Sequence, residues 1–187
     1  MEPRGRVQLE KPSRRREGEF LAAVRRSRGL HRGWVSPPRT AKAYRAYLER
    51  SRKVTHEGYF VTLRSSGELV GVINLSELVR GNYQGAYLGY YAFVPHAGRG
   101  YMTEGLRLAL RQAFGALRLH RLEANIQPGN RSSLALVRRL GFRREGFSPR
   151  YLRIDRRWRD HERWALRVDE WRGRAGWRTR HPRRARR

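Results

Sequence analysis

The chain has 187 residues, enough for one domain around a single core, or for a domain with a tail. It carries 43 Lys and Arg against 16 Asp and Glu, a formal net charge of +27, so its field draws polyanions such as nucleic acid, a ribosome surface or a phosphorylated cofactor, and repels small cations. With no cysteine it has no disulfide, no thiol nucleophile and no thiolate metal site.

In chain order, VQLEKP reads as a short strand ended by Pro12. Ser13 then stands as N-cap of a helix, RRREGEFLAAVRRSR, with Phe20, Leu21 and Val24 on one face. After the break at Pro37 and Pro38, Thr40 caps a second helix whose buried stripe holds Tyr44, Tyr47 and Leu48. GYFVTLR and ELVGVINL are strands joined by a Ser65-Ser66-Gly67 hairpin turn. AYLGYYAFV is a largely buried strand, and a helix is expected from about Thr103 to Leu117. HRLEANIQ is another strand, Asn130 caps the helix RSSLALVRRL, and Gly141 closes it. Strands around RYLRI and ERWALRV flank a turn, DRRWRD.

The order βααβββαβαββ predicts an α/β fold with a mixed sheet. From Trp171 onward the composition shifts to aperiodic arginine, which reads as a disordered basic tail over 171–187, with Trp171 able to pack at the domain edge. The opening MEPRGRVQLEKPSRRREGE does not read as a secretory signal, and no apolar run approaches the ~20 residues of a membrane span. A cytoplasmic protein with no membrane partner is therefore expected.

Between strand and helix lies VPHAGRGYMTEG. Gly98-Arg99-Gly100 is followed by Tyr101, Met102 and Thr103, so it fails the dinucleotide pattern G-x-G-x-x-G. Gly100 and Gly105 have Walker A spacing, but Leu106 and Arg107 follow in place of Lys and Ser/Thr. What remains is R-G-x-x-T at a helix start, where unpaired amides and the helix dipole favour an anion. The residues alone allow a plain structural turn equally well.

The strand, the G-R-G loop and its helix, then RLEA, N-x-x-S and L-x-x-x-x-R-L-G-F, together resemble the core of the GNAT acetyltransferases. GRGYMTEGLRLALRQAFGALRLHRLEANIQPGNRSSLALVRRLGFRREG and RYLRIDRRWRDHERWAL are similar to the ribosomal-protein-alanine N-acetyltransferases, the RimJ/RimL group, with the likeness running from about Val7 to Val168. The resemblance implies a GNAT domain over 1–170, a mostly antiparallel central sheet flanked by helices, strands splayed at the cofactor site, and acetyl-CoA as acetyl donor. The pyrophosphate loop falls on Ala97 to Met102, with Ala97 and Met102 departing from the family pattern. Backbone amides of Gly98, Arg99, Gly100, Tyr101, Met102 and Thr103 would hold the pyrophosphate, and amides near Phe93 and Val94 would face the thioester and pantetheine. Asn130 matches the asparagine that contacts the cofactor arm.

Acetylation of an amine needs a base, since an α-amine titrates near ~8 and lysine near ~10.4. It also needs a donor for the leaving thiolate. By the resemblance Glu123, in RLEA, is the candidate base, and otherwise a strand-end carboxylate paired with arginine. The tyrosine used as acid by some relatives is missing from the run Leu136 to Phe142, and Ser133 takes the role in the RimL-like branch; otherwise it is a capping hydroxyl. Glu104 reads as a dipole-favoured helix-start residue. Asp160 and His161 read as stabilisers of their turn or as residues that orient the substrate amine. Tyr87, Tyr90 and Tyr91 read as core and pocket wall. The 6 histidines show no metal-ligand spacing, so no metal is expected.

The acceptor this implies is an amine, foremost the N-terminal α-amine of a ribosomal protein, with ribosome or RNA association through the basic surface and tail. A catalytically silent RNA-binding protein and an acetyltransferase for a small-molecule amine are the alternatives. The sequence leaves monomer and homodimer equally open.

Overall fold

A computed structural model describes residues 5–174. One seven-stranded sheet runs in the order β1-β2-β3-β4-β5-β7-β6. The strands are β1 (Val7–Glu10), β2 (Glu57–Leu63), β3 (Leu69–Val79), β4 (Gly85–Ala92), β5 (Arg121–Ile126), β6 (Arg143–Ile154) and β7 (Arg157–Arg167). Every neighbouring pair is antiparallel except β4 and β5, whose crossover runs through a helix. This is the mixed, mostly antiparallel sheet expected.

Two helices cover one face. α4 (Tyr101–Arg111) and α5 (Arg131–Leu140) bury Leu106, Ala109, Leu110, Leu134 and Val137 against Val61, Ile73 and Leu122. On the other face α1 (Glu17–Arg26) and α3 (Ala41–Arg50) pack an aromatic core of Phe20, Tyr44, Tyr47, Phe60, Tyr91 and Phe93. Phe20 sits at its centre, 4.7 Å from the ring of Tyr44 and edge-on to Phe93 at 5.8 Å. Such tilted and edge-to-face pairs add about 0.5–1.5 kcal/mol each beyond the area they bury.

The expected caps hold in the later helices. Thr40 Oγ1 accepts from Ala43 N at 3.2 Å, and Asn130 Oδ1 accepts from Ser133 N at 3.2 Å. Gly141 ends α5 with φ 94°, and Phe142 N reaches back to Val137 O. The first helix departs from expectation. Ser13 makes no side-chain cap, Arg14–Arg16 forms a 3-10 turn, and α1 begins at Glu17. Arg16 is drawn aside by Glu10 and Glu19, which competes with a regular first turn. α1 also stops at Ser27, where a short α2 (Arg28–His31) begins.

Three further boundaries differ. α4 continues as a π-helical segment, Gln112–Ala116, before Arg118 turns at φ 50°. The expected six-residue turn DRRWRD is a two-residue hairpin instead, because Asp155 and Arg156 both take positive φ, 47° and 64°, as a tight strand connection demands. The tail boundary shifts too: Trp171 packs at the domain edge as the sequence allowed, but within α6 (Val168–Arg174), buried with its ring 6.4 Å from Phe114. The rest of the expected basic tail, 175–187, lies outside the described residues. Among the described residues no helix is long and apolar enough to cross a membrane.

Candidate active site

The β4–β5 ladder holds only three pairs: Gly85 with Arg121, Ala86 with Leu122 and Tyr87 with Glu123. Beyond them β4 runs on to Ala92 and β5 to Ile126 without pairing, so the sheet opens into a wedge. Phe93 N donates to Val70 O at 2.8 Å, which fixes the phase of the β3–β4 ladder. Antiparallel alternation then turns the N–H and C=O groups of Leu88, Tyr90 and Ala92 away from β3, toward the wedge.

This corrects the expected amides. Phe93 N–H is committed to Val70, and Val94 N–H donates to Ser27 Oγ at 3.0 Å. Neither is available to a ligand. The amides of Leu88, Tyr90 and Ala92 are: Phe93 is lost by one residue of register, and Val94, in phase with them, by the Ser27 hydroxyl that takes its N–H.

The loop at the far end of β4 arrives at α4 through two left-handed glycines, Gly98 at φ 80° and Gly100 at φ 82°. A Cβ at Gly98 would meet no atom within 4 Å, so space stands open above it. From Gly98 to Met102, five consecutive N–H groups have no hydrogen-bond partner among the described residues, whereas Thr103 N donates to Gly100 O at 3.0 Å. Thr103 therefore leaves the expected set of anion-binding amides. Met102 keeps its amide in the set while its side chain, 9% exposed, packs inward against Gly71, so its bulk does not fill the loop.

The loop is tied from below. Arg6 N and Nε donate to the Glu104 carboxylate at 2.9 and 2.7 Å, Arg6 Nη2 donates to Arg99 O at 3.3 Å, and the guanidinium lies 4.5 Å from the Tyr101 ring centroid. Glu104 is thus the structural helix-start residue expected of it. Asn130 spends Oδ1 on Ser132 Oγ and Ser133 N, leaving its amide NH₂ group for other contacts.

The two catalytic candidates lie on opposite faces of the sheet. Ser133 stands on the first turn of α5, its Oγ 2.6 Å from Tyr90 Oη. Burial pushes the Tyr90 phenol up to about 12, with the Ser133 hydrogen bond partly opposing it. Glu123 closes the paired part of the wedge on the other face, where Oε1 accepts from Tyr83 Oη at 2.7 Å and from Arg121 Nε at 2.8 Å. Its Oε2 has no partner among the described residues. Arg121 also grips Glu145, which holds that carboxyl below its usual range.

On the Glu123 face, Tyr87 Oη lies 3.5 Å from Tyr151 Oη, and that contact, with burial second, pushes Tyr87 up to about 12. Tyr151 packs edge-on to His161, buried to 3% exposure. Asp160 Oδ1 accepts from Arg150 N at 2.7 Å and so stabilises its hairpin. A cavity of about 260 Å³ lies between α3 and the sheet, with Tyr47, Asn74 and Gly89 in its wall. The β6–β7 hairpin closes over the α2–α3 connection, where Asp155 accepts from Ser36 Oγ and Gly33 N.

A wedge between parallel strands thus opens onto unpaired amides at a helix start. The model of the acetyltransferase (GNAT) domain matches residues 6–143. The chain belongs to that family.

Among GNAT relatives, the [ribosomal protein uS5]-alanine N-acetyltransferase of Escherichia coli is 42% identical over 104 residues, covering 56% of this chain and 54% of its own length. The probable N-acetyltransferase YjcK of Bacillus subtilis is 35% identical over 116 residues, covering 62% of this chain and 64% of its own. The chain thus spans less than two thirds of either curated relative. In structure, Mycobacterium smegmatis RimJ in complex with CoA-disulfide superposes with a TM-score of 0.81 at 26% identity, covering 88% of this chain and 83% of that one. Vibrio cholerae spermidine N-acetyltransferase in complex with CoA and spermine shares the GNAT fold, with a TM-score of 0.76 at 17% identity over 89% of this chain and 98% of that one.

Tyr90 packs against the core as expected, and what the sequence does not give is its hydroxyl pairing with Ser133. The available signal was the alternation of β4, which points Tyr90 to the α5 face while Tyr87 and Tyr91 point to the other.

Proposed function

We propose that the protein is an N-acetyltransferase that uses acetyl-CoA and acts on the N-terminal α-amine of a protein, foremost a ribosomal protein, in the cytoplasm. The observation that carries this reading is the run of five unpartnered N–H groups, Gly98 to Met102, at the end of the wedge. Two left-handed glycines keep that run open to a diphosphate, with Arg99 adding charge. The wedge-facing groups of Leu88 and Tyr90 and the Ala92 N–H can pair with an amide-bearing arm as a strand would, and the Asn130 NH₂ group stands at the start of α5 to meet it. When bound, acetyl-CoA supplies the activated acyl group as a thioester.

The chain's own groups divide the remaining work between the two faces. Glu123, with Oε2 uncommitted, takes the proton that an α-ammonium must lose before its nitrogen can attack. Ser133 and Tyr90, a protonated hydroxyl pair, donate to the leaving sulfur. Tyr83 and Arg121 hold the Glu123 carboxylate in place.

The acceptor class is supported by the E. coli relative, which acts on a ribosomal protein alanine, and by the net charge of +27. That charge favours approach to an RNA-bound protein and opposes approach of a polyamine. The test is incubation with acetyl-CoA and peptides beginning with Ala or Ser, scored by mass and by release of free CoA. Acetylated N-termini are expected. Binding of acetyl-CoA without transfer to any peptide, but with transfer to spermidine, would overturn the acceptor assignment; absence of acetyl-CoA binding would overturn the whole reading.

A further inference from the structure

Beyond Tyr87 the β5-facing side of β4 is a free edge while its other side stays paired to β3, and free edges need partners where they are buried. At the far end of the wedge those partners come from the α1–α2 junction. Ser27 Oγ accepts from Val94 N at 3.0 Å, and His31 Nε2 donates to Ala92 O at 2.7 Å, the carbonyl being able only to accept. Both side chains are buried to 1% exposure. His31 also packs edge-on to Tyr91 and Phe93, at 5.3 and 5.8 Å, so its ring is fixed against the strand it serves.

The junction itself is shaped for this. α1 ends at Ser27 and α2 starts one residue later, with Ser27 at φ −96° and ψ 12°, so the two side chains one helical turn apart both reach β4. Ser27 O accepts from His31 N at 3.0 Å, which locks the spacing between them.

We infer that Ser27 and His31 are positioning residues that set the opening of the wedge: by taking the Val94 N–H and the Ala92 carbonyl, they stand where β5 would otherwise pair and leave Leu88, Tyr90 and the Ala92 N–H as the edge presented to the acyl-donor arm. The inference rests on the acetyl-CoA reading of the site and goes beyond it. Neither residue touches the reacting atoms. Their loss relaxes β4, so it acts on donor binding and not on the chemical step.

The experiment combines steady-state kinetics with amide exchange. Ser27→Ala and His31→Phe should each raise KM for acetyl-CoA by at least about 10-fold while kcat at saturation moves by less than about 3-fold. His31→Gln, which keeps a donor, should return KM to within about 3-fold of the wild type. Folded variants with unchanged KM, or a fall confined to kcat, would overturn the inference. Hydrogen exchange on the ligand-free wild-type protein decides independently of whether the variants fold. Val94 N–H must be protected to the same degree as Phe93 N–H, and free exchange at Val94 overturns the inference. Failure of the wild type to bind CoA would sink the functional reading, while the Val94 measurement would still report on the junction.

Discussion

Tyr90 and Ser133 bring their hydroxyls to 2.6 Å, joining the strand on one side of the wedge to the helix that follows the strand on the other. A short hydroxyl pair of this kind passes a proton without either partner carrying charge in the resting state. With Tyr90 pushed up to about 12, the pair stays protonated across the working pH range. Tyr90→Phe and Ser133→Ala are each expected to lower kcat by about 10-fold or more, about 1.4 kcal/mol of barrier, with little change in CoA affinity. The double variant should lose little more than the worse single one, since the two act as a unit. Full activity in both single variants removes the acid assignment.

Glu123 calls for a different measurement because it also anchors Arg121 and Tyr83. Glu123→Gln keeps an acceptor oxygen toward both partners while removing the carboxylate's basicity and its charge beside Arg121, so kcat should fall about 10-fold or more at neutral pH. Raising the pH should restore part of the loss as the α-amine deprotonates unaided. A pH-independent loss would mark Glu123 as a scaffold carboxylate, and no loss would clear it altogether.

The glycine loop, the caps at Thr40, Asn130 and Gly141, and the succession of strands and helices along the chain were legible because each rests on local chemistry over a few residues. The α1–α2 break at Ser27 was not, since what the Ser27 hydroxyl serves is Val94 N–H, far along the chain. The same holds for the Phe93 amide. Which N–H groups of a splayed strand face the opening depends on ladder phase, and phase is set by the pairing of Val70 with Phe93. Glu123 and Ser133 could be picked out as candidates, but not the partners Tyr83 and Tyr90, which come from a loop and a strand placed by tertiary packing.

Gly100 tests the loop. At φ 82° an L side chain is strained by roughly 1–2 kcal/mol, and a Cβ there would also meet Arg6 Nη2 at 3.3 Å. Gly100→Ala should therefore lower the unfolding free energy by about that amount and weaken CoA by about 10-fold or more. Gly98→Ala, with open space above it, should cost similar backbone strain while its methyl stands only where an anion would approach. If Gly98→Ala leaves CoA affinity intact in a folded protein, the diphosphate does not sit on that stretch of amides.

His31 and His161 give the fold an acid sensitivity of known sign. Burial is the main cause that lowers both below the ordinary 6.5; for His31 the Ala92 carbonyl partly opposes it and Arg39 adds to it, while for His161 the Arg159 carbonyl and Asp160 partly oppose it. Each imidazole is neutral in the folded protein and more easily protonated in the unfolded chain, so its contribution is complete above pH 6.5. It is lost as pH falls from there through the lowered folded value. Thermal unfolding should hold level from pH 8 to 7 and then drop steadily toward pH 5, before Glu145 and Asp155, both held below the usual carboxylate range by hydrogen bonds, begin to protonate. His31→Gln should flatten that decline, whatever its absolute midpoint, because one of the two imidazoles whose titration burial lowers is gone. A decline of unchanged slope in the variant would mean that His31 reaches its protonated form in the fold without cost, which a ring buried between Tyr91 and Phe93 with Nδ1 unpartnered should not allow.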